Sequence, residues 1–110
     1  MDEKQMTEVC LNIIKNAIEA MHMQHDKKIT ITIEDQDKWG CITIADNGPG
    51  IPQEYINDIF SPFFSTKSSA NNWGVGLSYC HKMVSKHQGK IEVISHLKAG
   101  TTFKILLPIH

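Results

Sequence analysis

Apolar residues recur at intervals of three and four along the first part of the chain: Met6, Val9, Cys10, Ile13, Ile14, Ala17, Ile18 and Met21. That period predicts an amphipathic helix with these residues on its buried stripe. Its other face carries Glu8, Asn12, Lys15, Asn16 and Glu19. Asparagine is a poor helix-interior residue because its amide competes for backbone hydrogen bonds. Two asparagines one turn apart on one face therefore need a reason.

The period then falls to two. Ile29–Ile33 and Cys41–Ala45 alternate β-branched and polar residues, which predicts an antiparallel hairpin with a long loop over the polar stretch between them. Asp46-Asn47-Gly48-Pro49-Gly50-Ile51-Pro52 stops the second strand. Pro52 suits a helix start, and Gln53–Phe60 supplies one short helix with Ile56, Ile59 and Phe60 inward. Ser61–Trp73 has no periodicity and reads as a loop. Gly74-Val75-Gly76 opens a second long helix, about Leu77 to His87, with Cys80, Met83, Val84 and His87 inward and Gly89 as its C-cap. Strands over Ile91–Ser95 and Thr101–Leu107, with Gly100 in the turn between them, complete an α+β two-layer sandwich.

Composition narrows the function. A chain of 110 residues is expected to form one domain, residues 1–110, and a net charge of -1 without charged blocks argues against nucleic acid as a partner. No apolar run approaches the roughly 20 residues of a membrane span, so no direct membrane contact is expected. The chain could still be the end of a longer membrane-anchored protein. Cys10, Cys41 and Cys80 are odd in number and sit inside apolar patterns, which reads as structural thiols in a reducing compartment. Every basic residue is a lysine. An anion here must be held by lysine, backbone N–H groups, a helix N-terminus or a metal, and no arginine finger can come from this chain.

Three segments carry candidate chemistry, each beside a plainer reading. The Asn12/Asn16 face offers neutral oxygen ligands suited to Mg²⁺ already balanced by phosphates, or is a solvated helix face. Asp46-Asn47-Gly48-Pro49-Gly50 offers an acceptor at a strand end beside backbone open to a flat group, or is a turn. Gly74-Val75-Gly76 at a helix start offers a phosphate seat, or is helix-start packing; it is neither a Walker loop nor a complete dinucleotide fingerprint.

Taken in order, these segments resemble the ATP-binding domain of bacterial sensor histidine kinases, within the wider ATPase group of DNA gyrase, Hsp90 and MutL. The resemblance runs from about Glu8 to Pro108. Leu11–Ala20, of the sporulation and nitrogen type, is similar to the family's asparagine box. Asp46–Ile51 is similar to its first glycine box, Phe60–Lys67 to its phenylalanine box and Gly74–Ser78 to its second glycine box. The implied fold is a mixed, mostly antiparallel sheet packed on helices.

The resemblance implies ATP and Mg²⁺ as cofactors. Asn16 would ligate the metal, with Asn12 and Lys15 near the phosphates as the other catalytic residues. Asp46 would accept the adenine amine, over a floor of Gly48, Gly50 and Ile51. Thr101 or Thr102 would support Asp46 or a bridging water. Residues 65–73 would form a mobile lid carrying Thr66 and Lys67, and Gly74, Val75, Gly76 and Leu77 would meet the phosphates. Phe60, Phe63 and Phe64 would anchor that lid, with Phe63 or Phe64 facing the acceptor domain. Two departures stand out: Asn72-Trp73 where the second glycine box often begins with another glycine, and Glu19 where many relatives carry lysine.

The implied partner is a dimerisation domain bearing the acceptor histidine and, through it, a response regulator, in the cytoplasm. His22, His25, His81, His87, His96 and His110 all lack the context of an acceptor. The chain would thus be a monomeric catalytic domain, inactive or weakly active without that partner. In related hydrolases a glutamate stands one turn before the metal-binding asparagine; Asn12 takes that place here and cannot act as a base at neutral pH. That favours transfer over hydrolysis. The alternatives are a stand-alone anti-sigma serine kinase and a degenerate interaction scaffold of the same fold.

Overall fold

The computed structural model describes residues 3–60 and 73–108. Helix α1 (Glu3–Ala20) precedes strands β1 (Ile29–Gln36) and β2 (Trp39–Asp46), a single-turn helix α2 (Gln53–Ile56), helix α3 (Trp73–Lys86), and strands β3 (Lys90–His96) and β4 (Gly100–Pro108). The sheet has four strands in the order β1-β2-β4-β3, and all three pairings are antiparallel. The sandwich is as expected, without a parallel pairing among the described strands. The expected roles of Phe63, Phe64, Thr66 and Lys67 fall outside the described residues, as does the expected lid from residue 65 to residue 72.

One face of the sheet packs on α1 and α3. Antiparallel partners share a face, so the pairs Ile44–Phe103, Ile42–Ile105, Phe103–Val93 and Ile105–Ile91 place one apolar layer under the helices. Val9 and Ile13 of α1 and Leu77, Cys80 and Val84 of α3 meet that layer, with Ile51 and Ile59 from the connecting segment. Full burial of each large aliphatic side chain is worth about 1.5–3 kcal/mol.

Several local expectations need correction. The hairpin loop is only Asp37-Lys38, because Gln36 pairs with Trp39 and the polar stretch continues both strands. Asp37 takes the left-handed conformation of the turn (φ 55), which a short polar side chain tolerates. The edge position of β1, neighboured only by β2, explains why Glu34 and Asp35 can be strand residues and why Ile31 and Ile33 are exposed. The short helix is one turn, although Ile59 beyond it is fully buried. Ile18 is 51% exposed, since the buried stripe of α1 runs through Val9, Ile13, Ala17 and Met21.

Helix α3 begins at Trp73 and not at Leu77, and it ends in a Schellman arrangement. Gln88 N–H donates to Ser85 O and Gly89 N–H to Val84 O, with Gln88 rather than Gly89 left-handed (φ 64). Gly89 serves close approach instead: a Cβ there would lie 2.4 Å from Leu106 O. Cys41 and Cys80 are buried and Cys10 is half-buried, all as free thiols. Burial pushes the Cys80 thiol up to about 12, against a smaller opposing effect of a hydrogen bond with the Asn12 side chain, and burial also raises Cys10. His22, His25, His81 and His96 are exposed and His87 is half-buried.

Candidate functional site

Asn16 of α1 and Leu77 of α3 meet the turn after Asp46 where β2 ends. Asp46, the last residue of β2, stands opposite Thr101 of β4. Its Oδ1 accepts the Gly48 N–H at 2.8 Å and the Thr101 N–H at 3.3 Å. Burial of the carboxyl raises its pKa above the ordinary value, and these two backbone bonds pull the other way. The result is a half-buried acceptor held in one orientation.

The turn after Asp46 is shaped by its neighbours. Asn47 ties it to the loop after α1: its Oδ1 accepts Lys28 N–H at 2.8 Å and its Nδ2 donates to Asp26 O at 3.1 Å. Gln24 Nε2 donates to Asn47 O at 3.0 Å. On the other side the β3–β4 turn closes in, with Lys98 N–H on Pro49 O at 2.7 Å. Gly50 has φ +82 and faces His96 O, which a Cβ would meet at 2.3 Å. Gly100 has φ +115 and faces Asp46 O, which a Cβ would meet at 2.1 Å. Both positions exclude a side chain on steric and conformational grounds. The expected turn glycine at position 100 is thus a packing glycine within β4.

Beneath this turn lies a narrow cleft with an internal volume of about 20 Å³, lined by Asn16, Ala17, Ala20, Asp46, Pro49, Gly50, Ile51, Leu77, Thr101 and Phe103. Alanines, Ile51, Leu77 and Phe103 make apolar walls, and Asp46 and Thr101 put acceptors at one end. Such a slot suits a flat, largely apolar group with a hydrogen-bond donor on its edge.

Asn16 is only 7% exposed and lines this cleft, so it leaves the solvated face on which the helical period puts it. Asn12, Lys15 and Glu19 line a neighbouring groove on α1 with Glu8, Leu11, Ile14 and Ile18. Glu8 accepts the Tyr79 hydroxyl at 2.6 Å, tying α1 to α3. Glu19 Oε2 is covered and has no hydrogen-bond partner among the described residues. Gly74, Val75 and Gly76 fall in the first turn of α3, where backbone N–H groups lack intrahelical acceptors. Leu77 lies beyond that turn and contributes a buried side chain to the cleft wall.

The choice between the two threonines follows from strand parity. Thr101 shares the helix-facing side with Asp46, whereas Thr102 pairs with Ala45 on the opposite face and takes no part in the cleft. Sequence reasoning missed Ala17, Ala20, Pro49 and Phe103 in the lining, and it missed Ser95 behind Thr101. Ser95 is 3% exposed and keeps the inward parity of Ile91 and Val93; a polar residue at a core position of a strand was the available signal. Among the described residues no three or more His, Cys, Asp or Glu side chains cluster as metal ligands. A divalent ion beside Asn16 would therefore draw most of its ligands from phosphate and water, as Mg²⁺ does with nucleotides.

Comparison with known proteins agrees with this geometry. Residues 1–110 match the family model described as histidine kinase-, DNA gyrase B-, and HSP90-like ATPase. Sporulation kinase A of Bacillus subtilis is 38% identical over 107 residues, which is 97% of this chain and 17% of that protein. Sensor histidine kinase ZraS of Escherichia coli is 37% identical over 109 residues, 99% of this chain and 23% of that protein. The chain thus spans less than a quarter of the length of these two relatives. The solved catalytic domain of histidine kinase ThkA superposes with a TM-score of 0.83 at 37% identity, covering 97% of this chain and 68% of that one. Mycobacterial sensor histidine kinase MprB gives 0.84 at 27% identity, covering 98% and 74%.

Proposed function

The chain belongs to the family of histidine kinase-, DNA gyrase B- and HSP90-like ATPase domains, and from that premise we propose that it is the ATP-binding catalytic domain of a sensor histidine kinase. The observation that carries the reading is the cleft of apolar walls ended by the fixed acceptors of Asp46 and Thr101. In this reading an adenine ring enters by parting those walls, its exocyclic amine turned to Asp46. Gly50 and Ile51 form the floor, the expected Gly48 lies outside the lining and acts through its N–H on Asp46, and Asn16 stands at the side toward which the phosphates extend.

When bound, Mg²⁺ would neutralise phosphate charge, with the Asn16 amide oxygen as its protein ligand. Lys15 and Asn12, in the adjoining groove, and the first turn of α3 then face the triphosphate. Their shared task is to hold the γ-phosphoryl in line for attack by a histidine nitrogen on a separate helical domain. The new N–P bond forms as the bond from the γ-phosphorus to the bridging oxygen breaks, and ADP leaves. Positioning and charge stabilisation supply most of the catalysis of such transfers. Asn12 offers no base to activate water, which suits a donor domain that must spare its ATP.

The partners in this reading are the phosphoacceptor domain of the same kinase and, beyond it, a response regulator of a two-component system. The domain works as a cytoplasmic monomer, dimerisation residing in the acceptor domain. Among the described residues no helix is long and apolar enough to cross a membrane. ZraS, ThkA and MprB are histidine kinases, which disfavours both the serine-kinase and the scaffold alternatives.

Calorimetric titration with a non-hydrolysable ATP analogue and Mg²⁺ tests the binding half. Micromolar affinity, about -8 kcal/mol, is expected, and no heat of binding would refute it. Labelled ATP with a histidine-bearing acceptor domain tests the transfer half: acid-labile phosphate on the acceptor is expected, and acid-stable label would instead indicate a serine kinase.

A further inference from the structure

Ser95 is a buried hydroxyl with three partners. It lies 2.7 Å from Ile51 N, 3.1 Å from Gly100 O and 2.8 Å from Thr101 Oγ1. A hydroxyl owns one proton and two lone pairs. Ile51 N–H can only donate to it, and the Gly100 carbonyl can only accept from it. Assigning the Ser95 proton to the Gly100 carbonyl, which has no proton of its own to give, leaves the remaining contact to run from the Thr101 hydroxyl to Ser95 Oγ. On that assignment Thr101 turns its proton toward β3 and shows the cleft lone pairs.

Three backbone donors around Asp46 and Thr101 are also engaged. Gly48 N–H and Thr101 N–H go to Asp46 Oδ1, and Ile51 N–H goes to Ser95. The side chains of Asp46 and Thr101 thus present acceptors to the cleft. We infer that Ser95 is a positioning residue which fixes the direction of the Thr101 hydroxyl and so makes this site select a purine with an exocyclic amine over its 6-oxo counterpart. An amine supplies donors to those acceptors. A 6-oxo group meets lone pairs and finds no proton. The inference rests on the nucleotide reading above and names what sets its base selectivity.

The test compares ATP with inosine triphosphate, titrated calorimetrically against the wild type, Ser95→Ala, Thr101→Val and the double variant, each first shown to be folded by its melting curve. The wild type should prefer ATP on the order of 100-fold, the worth of about two hydrogen bonds made by the amine and refused to the oxo group. Ser95→Ala releases the Thr101 hydroxyl to turn and donate to the oxo group. The preference should then shrink roughly tenfold, chiefly through tighter inosine triphosphate, the worth of one hydrogen bond. In the Thr101→Val background the same change should add nothing.

A merely structural role would lower both affinities together and leave their ratio alone. A folded Ser95→Ala protein with the wild-type ratio overturns the inference, as does an equal narrowing in the Thr101→Val background. If Ser95→Ala does not fold, Thr101→Val decides: it must narrow the preference, and an unchanged ratio overturns the inference. A wild type that binds ATP without preferring it overturns this inference alone. A wild type that binds neither nucleotide removes the nucleotide reading and this inference with it.

Discussion

Replacing Asp46 by asparagine should separate binding from stability. The carbonyl oxygen of the new amide can keep the place of Oδ1 and accept the N–H groups of Gly48 and Thr101. The other position then becomes an NH₂ group facing the amine it is meant to receive. A charge-assisted hydrogen bond worth about 1.5–3 kcal/mol is lost, and a donor left unpaired in the cleft adds about 1–3 kcal/mol. The sum corresponds to at least about a 100-fold loss of affinity for ATP. The fold should hardly notice: the half-buried carboxylate no longer has to be desolvated, which offsets the weaker bonds to a neutral oxygen. A change within about 1 kcal/mol, or a few degrees in melting temperature, is expected. Calorimetric titration and thermal melts on the same preparation measure both. ATP affinity within about threefold of wild type, less than 1 kcal/mol, would refute the placement of the amine at Asp46. Loss of affinity only through loss of folding would show that the carboxylate serves the fold instead.

Three further outcomes are expected. Because burial raises the Asp46 pKa, its ionised form is less favourable in the folded state; wild type relative to Asp46→Asn should lose stability as pH rises from 3.8 through the raised value, while ATP affinity falls as pH drops through that same window. Parallel melts and titrations check this, and slopes of the same sign would contradict it. Gly100→Ala should cost more than about 2 kcal/mol of stability in chemical denaturation, since φ is +115 and the Asp46 carbonyl occupies the Cβ position; a loss below about 0.5 kcal/mol would show that the strand shifts freely. Cys80, buried and pushed up to about 12, should resist iodoacetamide at about pH 8 in the folded domain and react only on opening, so peptide mapping that finds it labelled as fast as in denaturant would contradict the packing of α1 on α3.

Much of this was legible because periodicity survives without knowledge of neighbours. The helical repeat of Val9, Ile13 and Ala17 and the two-residue repeat of Ile42 and Ile44 identify their own elements. What stayed hidden depends on partners distant in sequence. Edge position, not local chemistry, lets Glu34 and Asp35 remain in a strand, and strand parity separates Thr101 from Thr102. Gly89 looks like a helix cap until Leu106 is seen against it, so the left-handed position falls to Gln88. Ser95 offers locally only a polar residue at a core strand position; its meaning lies in touching Ile51, 44 positions away. For the candidate site, Asp46 and Asn16 could be singled out by residue type, whereas the alanines and Phe103 of its walls are ordinary core residues until the strands are aligned.

The strand order bears on how the domain comes into being. β4 follows every other described element in the chain, yet it lies between β2 and β3 in the sheet. Until it is inserted, β2 and β3 have no shared neighbour, and Asp46 lacks the Thr101 N–H that stands 55 positions later. Closing contacts over such separations is slow compared with forming a hairpin or a helix turn. A nascent chain that has emerged only as far as β3 therefore holds the glycine turn and the asparagine helix without the wall that joins them. Nucleotide competence should appear in a single step once β4 has emerged, together with the cooperative fold, rather than grow with chain length.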